Sequence, residues 1–124
     1  MDIQIIFSDA DNVNNQPQVD IVAWSIREVS FYGDDEDDDV MHLLIGFVMM
    51  NKQWRVTTAI QHFDSDRKKI TTSSGRIYNL VGQPVSNGDT DFELVWQLWK
   101  MTNNVNLDVD VTDKYATKIK WFVM

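Results

Sequence analysis

A chain of 124 residues, 44% apolar and with five tryptophans, has the size and composition of one globular domain with a filled core, which excludes a disordered chain. The absence of cysteine excludes disulfide scaffolds, zinc–thiolate centres and cysteine nucleophiles. A net charge of −8 disfavours direct contact with nucleic acid or an anionic membrane, and favours a basic protein surface as the partner.

The charge is unevenly placed. Residues 1–51 hold eleven acids (Asp2, Asp9, Asp11, Asp20, Glu28, Asp34, Asp35, Glu36, Asp37, Asp38 and Asp39) against the single base Arg27, a net of −10. Residues 52–124 hold eight acids and ten bases, a net of +2. Sixteen of the nineteen acids are aspartate, which favours caps and turns over helix interiors, so loops and sheet edges are expected to carry the negative field.

Along the chain, residues 3–7 read as a short strand and residues 9–17, rich in Asn, as a loop. Residues 1–9 are too short and too acidic for a signal peptide. In residues 19–32, Val22, Trp24 and Ile26 alternate with Ala23, Ser25 and Arg27, which favours strand with a break near Glu28; a helix over 21–29 is the rival reading. Gly33 then opens the run Asp34, Asp35, Glu36, Asp37, Asp38, Asp39, whose like charges repel and have nothing to bury, so an exposed loop is expected.

Residues 41–50 are strongly apolar, with Gly46 marking a bulge, and are too few for a membrane span. Asn51-Lys52 supplies a turn before the β-rich stretch 53–63, and residues 64–67 a second turn. Residues 69–72 and 76–81 flank Ser73-Ser74-Gly75, a hairpin loop with glycine placed for positive φ. These segments predict an antiparallel meander.

A helix follows, capped by Asp89 or Thr90, with Asp91 and Glu93 suited to its N-terminal dipole. Phe92, Val95, Trp96 and Trp99 fall on one face, which Leu94, Leu98 and Met101 widen, and Asn103-Asn104 ends it. Residues 107–111 alternate Leu107, Val109 and Val111 with Asp108 and Asp110, the pattern of a half-buried strand. Residues 118–123 alternate as well, as a closing strand or a docked tail. The expected fold class is α+β: an antiparallel β-sheet of about four to six strands packed against one main amphipathic helix, in a single domain.

Catalytic chemistry finds little support. Oxygen-bearing side chains alternate over residues 9–14 as in a calcium loop, but Asn14 stands where the turn glycine belongs and no bidentate Glu closes the loop. His62, Asp64 and Ser73 could supply a hydrolase triad, yet the serine sits in a turn whose glycine already has a structural reason. Arg67, Lys68 and Lys69 with Arg76 make a small basic patch. No glycine-rich phosphate loop precedes a helix, so no cofactor is expected. Trp96 and Trp99 read as core anchors; Trp24, Trp54 or Trp121, if exposed, would be natural hot spots for a partner.

Three segments together resemble small uncharacterised proteins of phages and bacterial mobile elements: Trp54-Arg55-Val56-Thr57-Thr58, residues 73–84, and Val95-Trp96-Gln97-Leu98-Trp99 with Asp110-Val111-Thr112. The likeness covers residues 41–115 and carries no catalytic signature. It implies a neighbourhood of anti-CRISPR, anti-restriction and toxin-immunity proteins. The resulting expectation is a cytoplasmic, non-enzymatic inhibitor whose Asp20, Glu28, Asp34, Asp35, Glu36, Asp37, Asp38 and Asp39 face a basic, nucleic-acid-binding protein complex. A toxin-immunity protein and a small hydrolase are the alternatives, and a homodimer through a sheet edge is compatible with each.

Overall fold

The computed structural model describes residues 5–6, 17–32, 40–86 and 88–119. Its strands are β1 (Ile5–Ile6), β2 (Gln18–Phe31), β3 (Met41–Val48), β4 (Gln53–Asp64), β5 (Lys69–Thr72), β6 (Ile77–Leu80) and β7 (Val105–Asp110). The helices are α1 (Thr90–Thr102) and α2 (Thr112–Ala116). The fold class is α+β, with a mostly antiparallel sheet and one main helix, as the sequence pattern predicts.

Strands β3 to β6 form the expected antiparallel meander, each paired with the next. Its turns follow local chemistry: Lys52 and Lys68 adopt positive φ at two of them, and Gly75 does so at φ 90° in the third. The long strand β2 supplies what the meander lacks. It pairs antiparallel with β3 on one edge and parallel with β6 on the other, so strands β2 to β6 close into a ring. Beyond β6 the same edge of β2 receives β7, and β1 lies parallel to the start of β4.

An extra residue in β2 shapes the ring. Val22 faces Phe47 and Ser25 faces Ile45, so two residues of β2, Ala23 and Trp24, oppose Gly46 alone. Ala23 takes φ 49° there. A one-residue slip inverts the side-chain alternation. Val19 and Ile21 point into the ring before the bulge, Trp24 and Ile26 after it, while Val29 turns outward to α1. The irregularity thus falls at Ala23 and not at Glu28, and residues 21–29 are strand.

Gly46 is required by this packing. A Cβ built on it would stand 2.6 Å from Ile21 Cγ1 and 2.9 Å from the Val22 carbonyl oxygen, and the backbone atom cannot swing aside. Gly46→Ala should therefore lower unfolding free energy by about 1–3 kcal/mol in chemical denaturation. A loss under about 0.5 kcal/mol, the range of an ordinary surface change, would contradict the close approach.

Two apolar clusters result. One fills the ring with Trp24, Ile26, Leu44, Ile70, Tyr78 and Leu80, and is completed by Val111, Ala116 and Ile119 around α2. The other lies between the outer face of β2–β3–β4 and α1, built on Val29, Ile45, Trp54, Phe92, Trp96 and Trp99. Helix α1 starts where its cap chemistry dictates: the Asp89 carboxylate accepts from Phe92 N at 3.0 Å. It ends at Asn103, and Asn104 follows with φ 54°.

Two expectations about buried faces are corrected. Leu94, Leu98 and Met101 do not widen the packed face of α1 but stand exposed, because a single helix over a sheet buries only the stripe of Phe92, Val95, Trp96 and Trp99. On β7 the alternation is reversed: Leu107 and Val109 are exposed. Asp108 faces α1 and takes hydrogen bonds from Trp96 Nε1 (3.0 Å) and Lys100 Nζ (2.9 Å). Helix α2 has no counterpart in the sequence reading, and of the expected element at 118–123 only Lys118 and Ile119 lie within the described residues.

Candidate functional site

The run Asp34 to Asp39 lies outside the described residues, as do the loop at 9–14 and Trp121. The two other members of the expected docking set are described, and β2 does not bring them together. Asp20 precedes the bulge and, with its neighbours Val19 and Ile21 pointing inward, projects outward, where its carboxylate accepts from Asn79 Nδ2 at 3.0 Å. Glu28 follows the bulge and shares the inward parity of Ile26. The run joins the end of β2 to the start of β3, eleven residues beyond Asp20 at Phe31, a strand length of roughly 35 Å. Asp20 therefore lies at the opposite end of β2 from the point where the chain leaves that strand toward the run.

Glu28 is committed to a polar chain at the mouth of the ring. Its Oε1 lies 3.1 Å from His42 Nε2, and His42 Nδ1 is hydrogen-bonded to the Tyr115 hydroxyl. A neutral imidazole satisfies the set: Nε2–H donates to the carboxylate and Nδ1 accepts from the phenol. The Tyr115 ring packs edge-on against His42 and Phe63. Burial, and secondarily the Glu28 carboxylate, raise the Tyr115 phenol above its ordinary 10.0.

The folded state therefore holds the Tyr115 proton more tightly than the unfolded chain does. The resulting stability is whole below pH 10 and is lost as pH rises through the higher folded value. Alkaline unfolding should accordingly be less steep above pH 10 in Tyr115→Phe than in the parent protein. Identical slopes would contradict the assignment.

A polar cleft of about 320 Å³ opens at the seam between β6 and β7, lined by Ser25, Arg27, Glu93, Asp110, Thr112 and Asp113 among others. Arg27 organises it. Its guanidinium lies 5.4 Å from the Phe92 ring centre and 5.7 Å from that of Trp96, and its Nε donates to Ser25 Oγ. Its remaining nitrogens stand 3.6 and 3.8 Å from Asp108 and Asp110.

The hydroxyls in this cleft are occupied. Thr112 Oγ1 donates to Asp110 Oδ1 at 2.6 Å and accepts from Ile26 N, with Ser25 Oγ at 3.0 Å. A hydroxyl has one proton and two lone pairs, so Thr112 keeps none for nucleophilic attack. Ser25 Oγ accepts from Arg27 Nε at 3.1 Å and lies 3.0 Å from Thr112 Oγ1, so it too is engaged by its neighbours.

The other catalytic candidates are not assembled. His62 and Ser73 are exposed, and Asp64 accepts from the Arg67 backbone N–H at 3.1 Å. Arg76 is buried and does not join Arg67 and Lys68 at the surface, while Lys69 Nζ is engaged by Gln18 and Asn79. Among the described residues no group of three His, Asp or Glu side chains could hold a metal ion. Nor, among them, is any helix long and apolar enough to cross a membrane.

Comparison with protein families, curated proteins and solved structures finds no match to this chain. The functional reading therefore rests on its own residues.

Trp24 and Trp54, candidate hot spots for a partner if exposed, are buried. The exposed apolar groups lie elsewhere. Tyr32 (68% exposed) and Val40 (47%) flank the acidic run on its two sides. Tyr32 N donates to Asn104 O at 2.9 Å, which ties that end of β2 to the turn after α1; Met101, in the last turn of that helix, is 76% exposed. One signal for this was legible: Tyr32 and Val40 are the apolar residues bracketing Gly33 and the six acids.

Proposed function

We propose that the protein is a non-enzymatic binding protein, an inhibitor of the anti-CRISPR or anti-restriction kind, that occupies a basic nucleic-acid-binding surface on a host defence complex. The observation that carries this reading is the charge split, −10 over residues 1–51 against +2 over the rest. A row of carboxylates at residues 34–39 offers a basic channel the polyanion it is built to hold, and displaced counterions favour the contact.

The fold supports the reading in two ways. In the chain the run lies between β2 and β3, which pair with each other in a closed ring, so the described strands on its two sides are held together, which lowers the ordering cost of docking. Tyr32, Val40 and Met101 offer exposed apolar contact near those ends, the composition of a hot spot beside a charged rim. Glu28 leaves the proposed docking set because His42 engages its carboxylate, and Asp20 leaves it because it lies at the far end of β2.

Capture of host proteins on the immobilised chain tests the proposal. Nucleic-acid-binding proteins should be retained at about 50 mM salt and released by about 500 mM. Retention of one protein equally at both concentrations, or of none, would count against it.

A further inference from the structure

Arg55 presents a separate problem. It sits near the start of β4, between Trp54 and Val56, which face α1, so its side chain takes the opposite, inward face of the sheet. Its cross-strand partner is Gly46, beside Ile21. Arg55 is only 2% exposed, and Nε, Nη1 and Nη2 are all buried with no hydrogen-bond partner among the described residues. No described acid forms an ion pair with it. Thr57, two residues along the same face, directs its hydroxyl elsewhere, donating to Thr58 O and accepting from Leu44 N.

A guanidinium cannot escape such a place by losing its proton, because its pKa lies above about 12. Five N–H donors and a full charge without an acceptor form the most costly kind of buried group, and a native fold keeps one only where something answers it. The planar fork matches two oxygens of a carboxylate or phosphate. We infer that Arg55 is the anchor of an anion-binding site at the β1 end of the ring, which takes a small oxyanion, carboxylate or phosphate. The inference is independent of the docking proposed above.

The test compares the whole chain with Arg55→Met, which keeps length and apolar volume without charge or donors. Thermal unfolding is followed in uncharged buffer with chloride, then with inorganic phosphate, then with acetate, all at one ionic strength. The parent protein should gain roughly 5 °C or more in phosphate or acetate over chloride, and Arg55→Met should gain nothing. Phosphate alone, or acetate alone, acting on the parent identifies which oxyanion the site prefers. Equilibrium dialysis with labelled phosphate or acetate should give one bound anion per parent chain and none for the variant.

Two results would overturn the inference. One is an equal response of parent and variant to the anions, which marks an adventitious ion only. The other is a parent indifferent to all three anions, which assigns the guanidinium to a fixed partner within the protein. A variant that fails to fold is replaced by Arg55→Lys, which keeps the charge but loses the fork and should lose most of the anion-dependent gain.

Discussion

Trp96→Ala should lower unfolding free energy by about 3–5 kcal/mol, the largest single-residue effect expected in this protein. Trp96 is fully buried between α1 and the outer face of the ring, stacked on Trp99 with ring centres 5.6 Å apart. Its Nε1 is bonded to Asp108, and Arg27 and Lys100 lie over its ring at 5.7 Å each. Truncation removes the aromatic volume that holds α1, and weakens the seat of two cations and one carboxylate. Denaturant unfolding checks it, with Leu98→Ala as the control. Leu98 lies two residues away on the exposed side of the same helix, and its truncation should cost less than about 1 kcal/mol. Equal losses for the two would mean that α1 does not dock through the Trp96 face.

Neutralising residues 34–39 should reduce affinity for the captured partner by about a hundredfold or more at low salt, while leaving stability nearly unchanged. The variant replaces the five aspartates by Asn and Glu36 by Gln, so shape is kept and six charges are lost. Each charge that answers a basic side chain adds roughly 0.7–0.9 to the slope of log affinity against log salt, by analogy with the phosphates of nucleic acid. The variant should therefore also bind with a flatter salt dependence. Full affinity in the variant would remove the acidic run from the interface. Asp20→Asn serves as the counterpart: at the far end of β2 and bonded to Asn79, it should change affinity little.

Much of the fold is visible in residue order alone, because its signals are local. The meander reads from turn chemistry at Asn51-Lys52, residues 64–67 and Ser73-Ser74-Gly75, and α1 from its Asp89 cap and the spacing of Phe92, Val95, Trp96 and Trp99. Ring closure is not visible, since the parallel pairing of β2 with β6 joins residues about sixty positions apart and leaves no local trace.

The faces of β7 mislead for a related reason. Leu107 and Val109 look like the buried set until Asp108 meets Trp96, Lys100 and Arg27, and three polar partners from elsewhere outweigh the apolar alternation. The same holds for the candidate site. Asp20 and Glu28 look alike as acids on one strand, but the extra residue at Ala23 sends them to opposite faces, and His42 claims Glu28. Arg55 reads from sequence as an ordinary polar residue of an alternating strand, and only its burial without an acceptor sets it apart.

Competition with nucleic acid tests the docking proposal most directly. The immobilised chain, loaded with its captured partner at low salt, is washed with increasing duplex DNA. If carboxylates 34–39 lie in a nucleic-acid channel, DNA displaces the partner, and it does so at lower concentration from the neutralised variant. A partner that stays bound at saturating DNA, or a ternary complex of chain, partner and DNA, would contradict the account.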